Sequence, residues 1–497
     1  MKDRVKLVPI LFLIFTAVWL RLANLGYSDY QGDESRTLWR LKPGQTALAY
    51  LLSKTKGPLE FLITYLIRFI DPAFHNRFLV RLPFALAGIM AVFFFYRLVQ
   101  LHYDKKIALY ATLFLSTNGL FVGLFRIVQY QPIIILFSIL TLYCLSLAVK
   151  VERWRFSGIY LGVLFWVAAL FSHYDAVFIA PFAILLFAQW YTQNYNTLSP
   201  TRLKRLIIVF LASALVLMGY YIPLYILSHS AKGYLLSRVA GIGDTSLIPS
   251  SIRNFNLYNP ILGIYVYTAL CALAMTRLKK ALLPLAWFAF SWGILELIVY
   301  EPGTHIYNYM IPATVLAALG LEAVELMVKK GLGENWGAVF NAIWIAGMFM
   351  SLTAISHLIF VDHTPEYPFE KRRILFWTIG GIEEGYRLRI YGFPYYRRWD
   401  EIGEYVTSKM RSGYYVTNEV EFLAGYYIPY KFDPIKAEYF IYIYNPQTIF
   451  ERHLSRKLLY WRKHYPPDKQ FELDGKPVAD VYKMPPGTLQ KLREEGY

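Results

Sequence analysis

The stretch Gly57-Pro58-Leu59-Glu60-Phe61-Leu62-Ile63-Thr64-Tyr65-Leu66-Ile67-Arg68-Phe69-Ile70-Asp71 decides how the chain lies. It is apolar enough to enter a membrane, yet it is only about 15 residues long and carries Glu60 and Arg68. A helix needs about 20 apolar residues to cross a bilayer core. Length alone leaves this segment open, and its surroundings settle it. Apolar runs of spanning length fall near 7–25, 78–101, 106–124, 131–150, 157–173, 175–191, 206–227, 260–276, 281–299, 307–328 and 336–360. If 57–71 does not span, alternate short connections carry Lys2, Arg4 and Lys6; Lys105 and Lys106; Lys150, Arg153 and Arg155; Arg202, Lys204 and Arg205; Arg277, Lys279 and Lys280; Lys329 and Lys330. The opposite short connections hold Arg126 and almost nothing else positive. Lys and Arg mark cytoplasmic loops. Counting 57–71 as a span would put every later basic loop across the membrane from the basic N-terminus. The segment is therefore read as an interfacial or re-entrant helix on the outer side.

Composition agrees with this reading. The 497 residues are 56% hydrophobic and only 17% charged, against roughly 25% charged in ordinary soluble domains. That excludes a soluble globular chain and a disordered one. The net charge of +17 could signal nucleic acid, but most of the excess is the topology signal just described, so no nucleic-acid partner is expected. The first run has no small-residue cleavage site, which favours a retained span over a signal peptide. Cys144 and Cys271 lie in apolar runs and make no disulfide framework. The expected fold is a polytopic α-helical membrane protein of about 11 transmembrane helices with a C-terminal extracytoplasmic α/β domain. Residues 1–360 form the membrane part, with outer loops 26–77 (bearing juxtamembrane helices) and 228–259, and 361–497 form the soluble part. The expected location is the plasma membrane, with the N-terminus cytoplasmic and the tail outside. In the tail, Tyr414–Thr417 and Glu438–Tyr444 read as strands, Glu419–Tyr427 as helix and Phe471–Tyr482 as a hairpin turning at Asp474-Gly475.

Candidate chemistry gathers on the outer side. Adjacent Asp33 and Glu34 follow the first span, with Arg36 one turn on. On a helix the two acids point apart and cannot share a role. They also suit a plain helix start, where the macrodipole favours acids. Lys54 and Lys56 fit either a headgroup surface or a phosphate contact. Arg126 either snorkels or holds an anion, with Gln129 beside it. His173 and Asp175 share one outer connection; His305 and Tyr309 occupy another. Gln129 and these four residues are candidates for substrate binding or a hydrogen-bonding rim. His173-x-Asp175 offers too few ligands for a metal, and the nine histidines form no HExxH. A divalent metal is possible but neither required nor indicated, and no other cofactor is expected. Walker A, GxGxxG and GxSxG sequences are absent, and Glu296 is the main acid within a span. In the tail, Tyr395, Tyr396, Trp399, Tyr426 and Tyr427 could stack on sugars or lie at the membrane surface.

Residues 1–360 resemble the GT-C membrane glycosyltransferases of family 39, the protein O-mannosyltransferases and lipid A aminoarabinose transferases. The likeness rests on Asp33-Glu34-x-Arg36, Lys56-Gly57-Pro58-Leu59, Arg81-Leu82-Pro83 and Arg126, in that order. It implies transfer of a sugar from a polyprenyl phosphate to a glycan, lipid or protein acceptor outside the membrane. By the same likeness Asp33 is the general base and Glu34 a supporting catalytic acid. Arg36, Lys56 and Arg126 would hold the lipid phosphate. Many members have Lys-Pro-Pro where this chain has Lys56-Gly57-Pro58, and Asp-Pro where it has Gln131-Pro132. A lipid or polysaccharide flippase is the competing reading; it would need polar residues along a path through the bilayer, and few are present.

Overall fold

The apolar runs become helices because a helix satisfies its backbone hydrogen bonds within one segment, as hydrocarbon requires. The computed structural model describes residues 2–497 except 229–230, 234–249, 262, 300–301, 365, 375–376, 380–389, 448–459, 486–487, 489–493 and 495–497. The first eleven helices are α1 (Lys2–Leu22), α2 (Gly32–Thr37), α3 (Ala47–Leu52), α4 (Leu59–Ile67), α5 (Arg77–His102), α6 (Lys105–Thr117), α7 (Gly119–Leu124), α8 (Gln131–Lys150), α9 (Ser157–Ser172), α10 (Ala180–Asn194) and α11 (Pro200–Leu227). Helices Ser250–Tyr258, Gly263–Ala274, Leu278–Leu297, Tyr307–Leu332 and Glu334–Phe360 follow. Among the described residues, seven helical stretches are long and apolar enough to cross a membrane; Val8–Leu22 and Ser157–Ser172 are shorter apolar helices. Gln131–Lys150 and Gly303–Leu332 are mostly buried and form the centre, whereas Pro200–Leu227 is almost wholly exposed. Its bare Ile207, Leu211, Leu215 and Ile222 suit a lipid-facing helix.

The run 106–124 does not continue as one helix. Asn118 ends α6 and caps α7 through its side chain. Asn259 holds the break, accepting from Gly119 N at 2.7 Å and donating to Asn118 Oδ1 at 3.0 Å. A side chain at Gly119 would strike the Tyr258 carbonyl at 1.8 Å. The turn after α7, residues 125–130, meets the loop after α1, where Val128 N donates to Glu34 Oε1 at 2.9 Å.

The deciding segment is α4, nine residues long and so about 14 Å, less than half a bilayer core of ~30 Å. Glu60, Phe61, Thr64 and Ile67 face inward, while Leu66, Phe69 and Ile70 are exposed. That one-sided pattern belongs to a helix lying at an interface. Gly57 explains the departure from Lys-Pro-Pro: a Cβ there would lie 1.9 Å from the Phe171 carbonyl. The loop can sit on the end of α9 only with glycine at this position.

The tail holds a two-stranded sheet of β1 (Arg372–Ile374) and β2 (Trp377–Ile379) and a five-stranded sheet. The larger sheet comprises β3 (Tyr414–Thr417), β4 (Lys431–Phe432), β5 (Tyr439–Ile443), β6 (Lys469–Leu473) and β7 (Lys476–Lys483), ordered β4-β3-β5-β7-β6. β3 runs parallel to β4 and β5; β7 runs antiparallel to β5 and β6. Asp474 and Gly475 take φ of 49° and 75°, as a tight hairpin turn demands. Helices Trp399–Lys409 and Glu421–Tyr427 cover one face, packing Trp399, Ile402, Val406 and Leu423 against Tyr415, Ile441 and Val481. Trp399 and Tyr395 are therefore core residues, 0% and 2% exposed, and do not offer faces to a sugar.

Candidate active site

The tail grips the loop after α1 through its backbone. Asp29 N donates to Tyr395 O at 2.8 Å, Tyr30 N to Tyr427 Oη at 2.9 Å and Gly32 N to Gln447 Oε1 at 2.9 Å. Ser35 Oγ donates to Phe422 O at 3.0 Å. Arg77 pairs with Asp29 at 2.9 Å and with Asp400. Gly32 has no room for a Cβ, which would fall 2.5 Å from the Phe422 ring.

These contacts fix α2 and sort its two acids. Glu34 is fully buried and reaches back to the Gln31 N–H at 2.7 Å in a capping box. Arg81 grips it from Nε and Nη2, both at 2.8 Å, and Val128 N–H adds a bond at 2.9 Å. Arg81 also donates to Leu25 O, Ser28 O, Ser28 Oγ and Asp29 O. Every good lone-pair position on Glu34 is taken, so it has no vacancy for a proton from a substrate. Asp33 points the other way. Its side chain is 37% exposed, accepts from Tyr391 Oη at 2.9 Å and lies 4.0 Å from Arg36. Arg36 is 60% exposed and lies flat over Phe422, 3.6 Å from the ring centre.

A basic group adjoins this acid. Lys54 Nζ donates to Arg36 O at 3.1 Å and sits over the Tyr50 and Phe61 rings. Burial pulls its ammonium down to about 8, against the opposing pull of Glu60. Lys56 Nζ lies 3.0 Å from buried Glu60 and 4.5 Å from the centre of the Tyr130 ring. Burial raises the Glu60 carboxyl; Lys56 opposes that shift and the charge of Asp33 adds to it.

Arg126 sits elsewhere. It is 5% exposed and donates from Nη1 to Leu20 O at 2.9 Å. The cavity it lines with Gln31, Glu34, Tyr395 and Gln447 measures about 10 Å³, room for a water at most. Gln129 is buried beside it with Nε2 unpartnered. A larger apolar cavity of about 300 Å³, lined by Phe95, Leu98, His102, Phe182 and Trp287, lies at the other end of α5 from Arg81.

His173, Asp175 and His305 come together although 130 residues separate the last two. Tyr130 stacks on His173 at 4.0 Å, so Lys56, Tyr130 and His173 form one column. Tyr309 lies outside this group and donates to Glu296 at 3.0 Å. The structure thus joins Asp33 with Arg36, and Lys56 with His173, Asp175 and His305. Lys54 and Glu60 link the two groups. Tyr391 carried no sequence signal among 41 tyrosines, and Tyr130 stood out only as a neighbour of Arg126 beside Gln129 and Gln131.

Residues 56–238 match the sequence profile of the dolichyl-phosphate-mannose-protein mannosyltransferase family. The structure of ArnT from Cupriavidus metallidurans, solved in the apo state and bound to undecaprenyl phosphate, superposes with a TM-score of 0.52 at 11% identity. It covers 95% of this chain and 97% of ArnT. The archaeal oligosaccharyltransferase AglB from Archaeoglobus fulgidus, in complex with an inhibitory peptide and a dolichol-phosphate, gives 0.51 at 11% identity, over 89% and 70% of the two chains. The chain has a GT-C glycosyltransferase fold. No curated protein sequence matches it. In this GT-C chain the profile match begins at Lys56, within the basic group described above.

Proposed function

We propose that this GT-C chain transfers a sugar from a polyprenyl-phosphate donor to an acceptor at the outer face of the plasma membrane. The observation that carries the proposal is the sorting of two adjacent carboxylates. Glu34 is saturated and structural, while Asp33 keeps an accessible oxygen beside Arg36 and the Lys54–Lys56 group. Asp33 takes the acceptor's proton as the acceptor atom bonds to the anomeric carbon. The bond from that carbon to the phosphate oxygen breaks, and the electron pair leaves on polyprenyl phosphate. Lys56, Lys54 and Arg36 stabilise the charge growing there. The leaving group needs no acid, and attack from the opposite side inverts the anomeric centre. Arg126, turned to Leu20 O, supports the loop beneath this site more readily than it reaches a phosphate. The acceptor is a glycan, lipid or protein, and membrane lipids surround the apolar outer surface. The likenesses to a structure holding undecaprenyl phosphate and one holding dolichol-phosphate support this reading.

The test uses purified protein in vesicles with a polyprenyl-phosphate donor labelled in its sugar. Free polyprenyl phosphate should appear in step with labelled acceptor, detected by mass spectrometry. Label crossing the bilayer with no transfer product would instead establish a flippase. Lys56→Ala should raise the donor KM about 10-fold or more, since a charge-assisted bond is worth roughly 1.5–3 kcal/mol. An unchanged KM would remove Lys56 from the phosphate site. Lys54 adds a pH dependence. It is charged below about 8 and neutral above, so donor affinity should fall as pH rises through that value. Lys54→Arg should flatten the profile; a profile of the same shape in that variant would exclude Lys54 as its source.

A further inference from the structure

Asp175 organises a second set of groups that the transfer chemistry does not use. His173 ends α9 and caps the 3-10 turn Tyr174–Ile179, and His305 lies in the turn before the helix Tyr307–Leu332. His173, Asp175 and His305 are 1%, 3% and 7% exposed. Asp175 Oδ1 lies 3.0 Å from His173 Nδ1, and Oδ2 lies 2.5 Å from His305 Nδ1. One potential ligand atom from each residue falls within 4.8 Å of the others.

Hydrogen bonds satisfy Asp175 Oδ2 but leave a conflict at His173 Nδ1. His173 Nδ1 lies 3.2 Å from the Asp175 backbone N–H and 3.0 Å from the Asp175 carboxylate. Neither tautomer satisfies both contacts: a protonated Nδ1 opposes the N–H, and a bare Nδ1 opposes the carboxylate. A cation that takes the Nδ1 lone pair in place of the N–H turns the approach to the carboxylate into chelation. Ligand bonds of about 2.0–2.2 Å place neighbouring ligand atoms roughly 3 Å apart. Tyr307 Oη and Asn308 Nδ2 donate to Oδ2 at 2.7 and 3.1 Å, the outer contacts that orient a ligating carboxylate.

We propose that His173 Nδ1, His305 Nδ1 and the Asp175 carboxylate bind one divalent transition-metal ion. Two imidazoles and a carboxylate select zinc or a neighbouring first-row ion over magnesium or calcium, which prefer all-oxygen shells. The His173-x-Asp175 spacing showed only two ligands because the third comes from another helix turn. The ion would lie across Tyr130 from Lys56. If that lysine holds the donor phosphate, the ion adds positive potential behind it; metal binding itself does not depend on that reading.

The test is metal binding by the full chain, purified without a polyhistidine tag and stripped with chelator. Equilibrium dialysis should recover about one Zn2+ per chain, and Co2+ should give the visible absorption of a nitrogen- and oxygen-ligated ion. His305→Gln should weaken Zn2+ at least tenfold, since loss of an outer-shell partner alone costs about 10–100-fold. Asp33→Asn should lose transfer and keep the metal, which separates this proposal from the preceding one. Asp175→Glu serves as a second variant should His305→Gln fail to fold; it should alter the Co2+ spectrum. No uptake of Zn2+ or Co2+ by the stripped wild type would overturn the proposal. So would uptake by His305→Gln with unchanged affinity and spectrum.

Discussion

Asp33→Asn should reduce kcat by roughly 10²–10⁴-fold, the usual contribution of a positioned general base, with little change in donor KM. Asn keeps the size of Asp and can still accept from Tyr391 Oη, now 2.9 Å from the carboxylate, so α2 should hold its place. The side chain is more than a third exposed and makes no buried ion pair, so thermal stability should stay close to wild type. The variant loses the ability to take a proton and the exposed pairing with Arg36 at 4.0 Å, which contributes little. Reaction rates with saturating donor, measured beside a melting curve, make the comparison. Full activity in a folded Asp33→Asn protein would remove Asp33 from the chemistry. A large loss of stability would mean the residue acts in the fold instead. Tyr391→Phe should have a much smaller effect, because it removes one bond to the carboxylate and leaves the base.

The helical fold was legible because hydrocarbon leaves the backbone few choices. Spans appear as apolar runs. The segment 57–71 was readable from the basic connections around it and not from its length; its helix is nine residues long. The break at Asn118 was not readable. It depends on Asn259, 141 residues away, and a local apolar run cannot show that a distant amide will hold the helix open. The tail's strands and hairpin were visible through β-branched and aromatic runs and the Asp474-Gly475 turn. Its helix Trp399–Lys409 was missed, because those aromatics were weighed as surface groups and not as core.

The site was legible in part. Asp33, Arg36 and Lys56 stand in short local motifs, and the motifs survive folding as neighbours. The divergence of Asp33 from Glu34 follows from helix geometry alone. The fate of Glu34 does not, since its partners Arg81 and Val128 come from two other segments. Arg126 shows the limit of reading charge by position. An arginine at the outer end of a span breaks the charge rule whether it meets a ligand or a helix carbonyl, and here it meets Leu20 O. His173 and Asp175 looked two ligands short of a metal site for a similar reason: His305 converges on them only through packing.

Arg81→Ala should destabilise the protein by about 3–5 kcal/mol, the usual cost of breaking one side of a buried ion pair. Arg81 is 2% exposed and Glu34 is 0% exposed, so neither charge can turn to water when its partner goes. The guanidinium also ties Leu25, Ser28 and Asp29 to the start of α5. The expected result is a sharply lowered melting temperature and poor yield from detergent. Any protein that survives should be weakly active, because α2 then loses the clamp that aims Asp33. Glu34→Gln should be milder. It removes the charge but keeps an oxygen for one donor, and its amide nitrogen would face Arg81 or a backbone N–H at the cost of one bond. The ordering Arg81→Ala, then Glu34→Gln, then Asp33→Asn in loss of stability is the measurement that matters. For loss of kcat per folded molecule, Asp33→Asn should come first. If Glu34→Gln left stability intact and matched Asp33→Asn in lost turnover, Glu34 would be a catalytic acid and not the anchor its four hydrogen bonds make it.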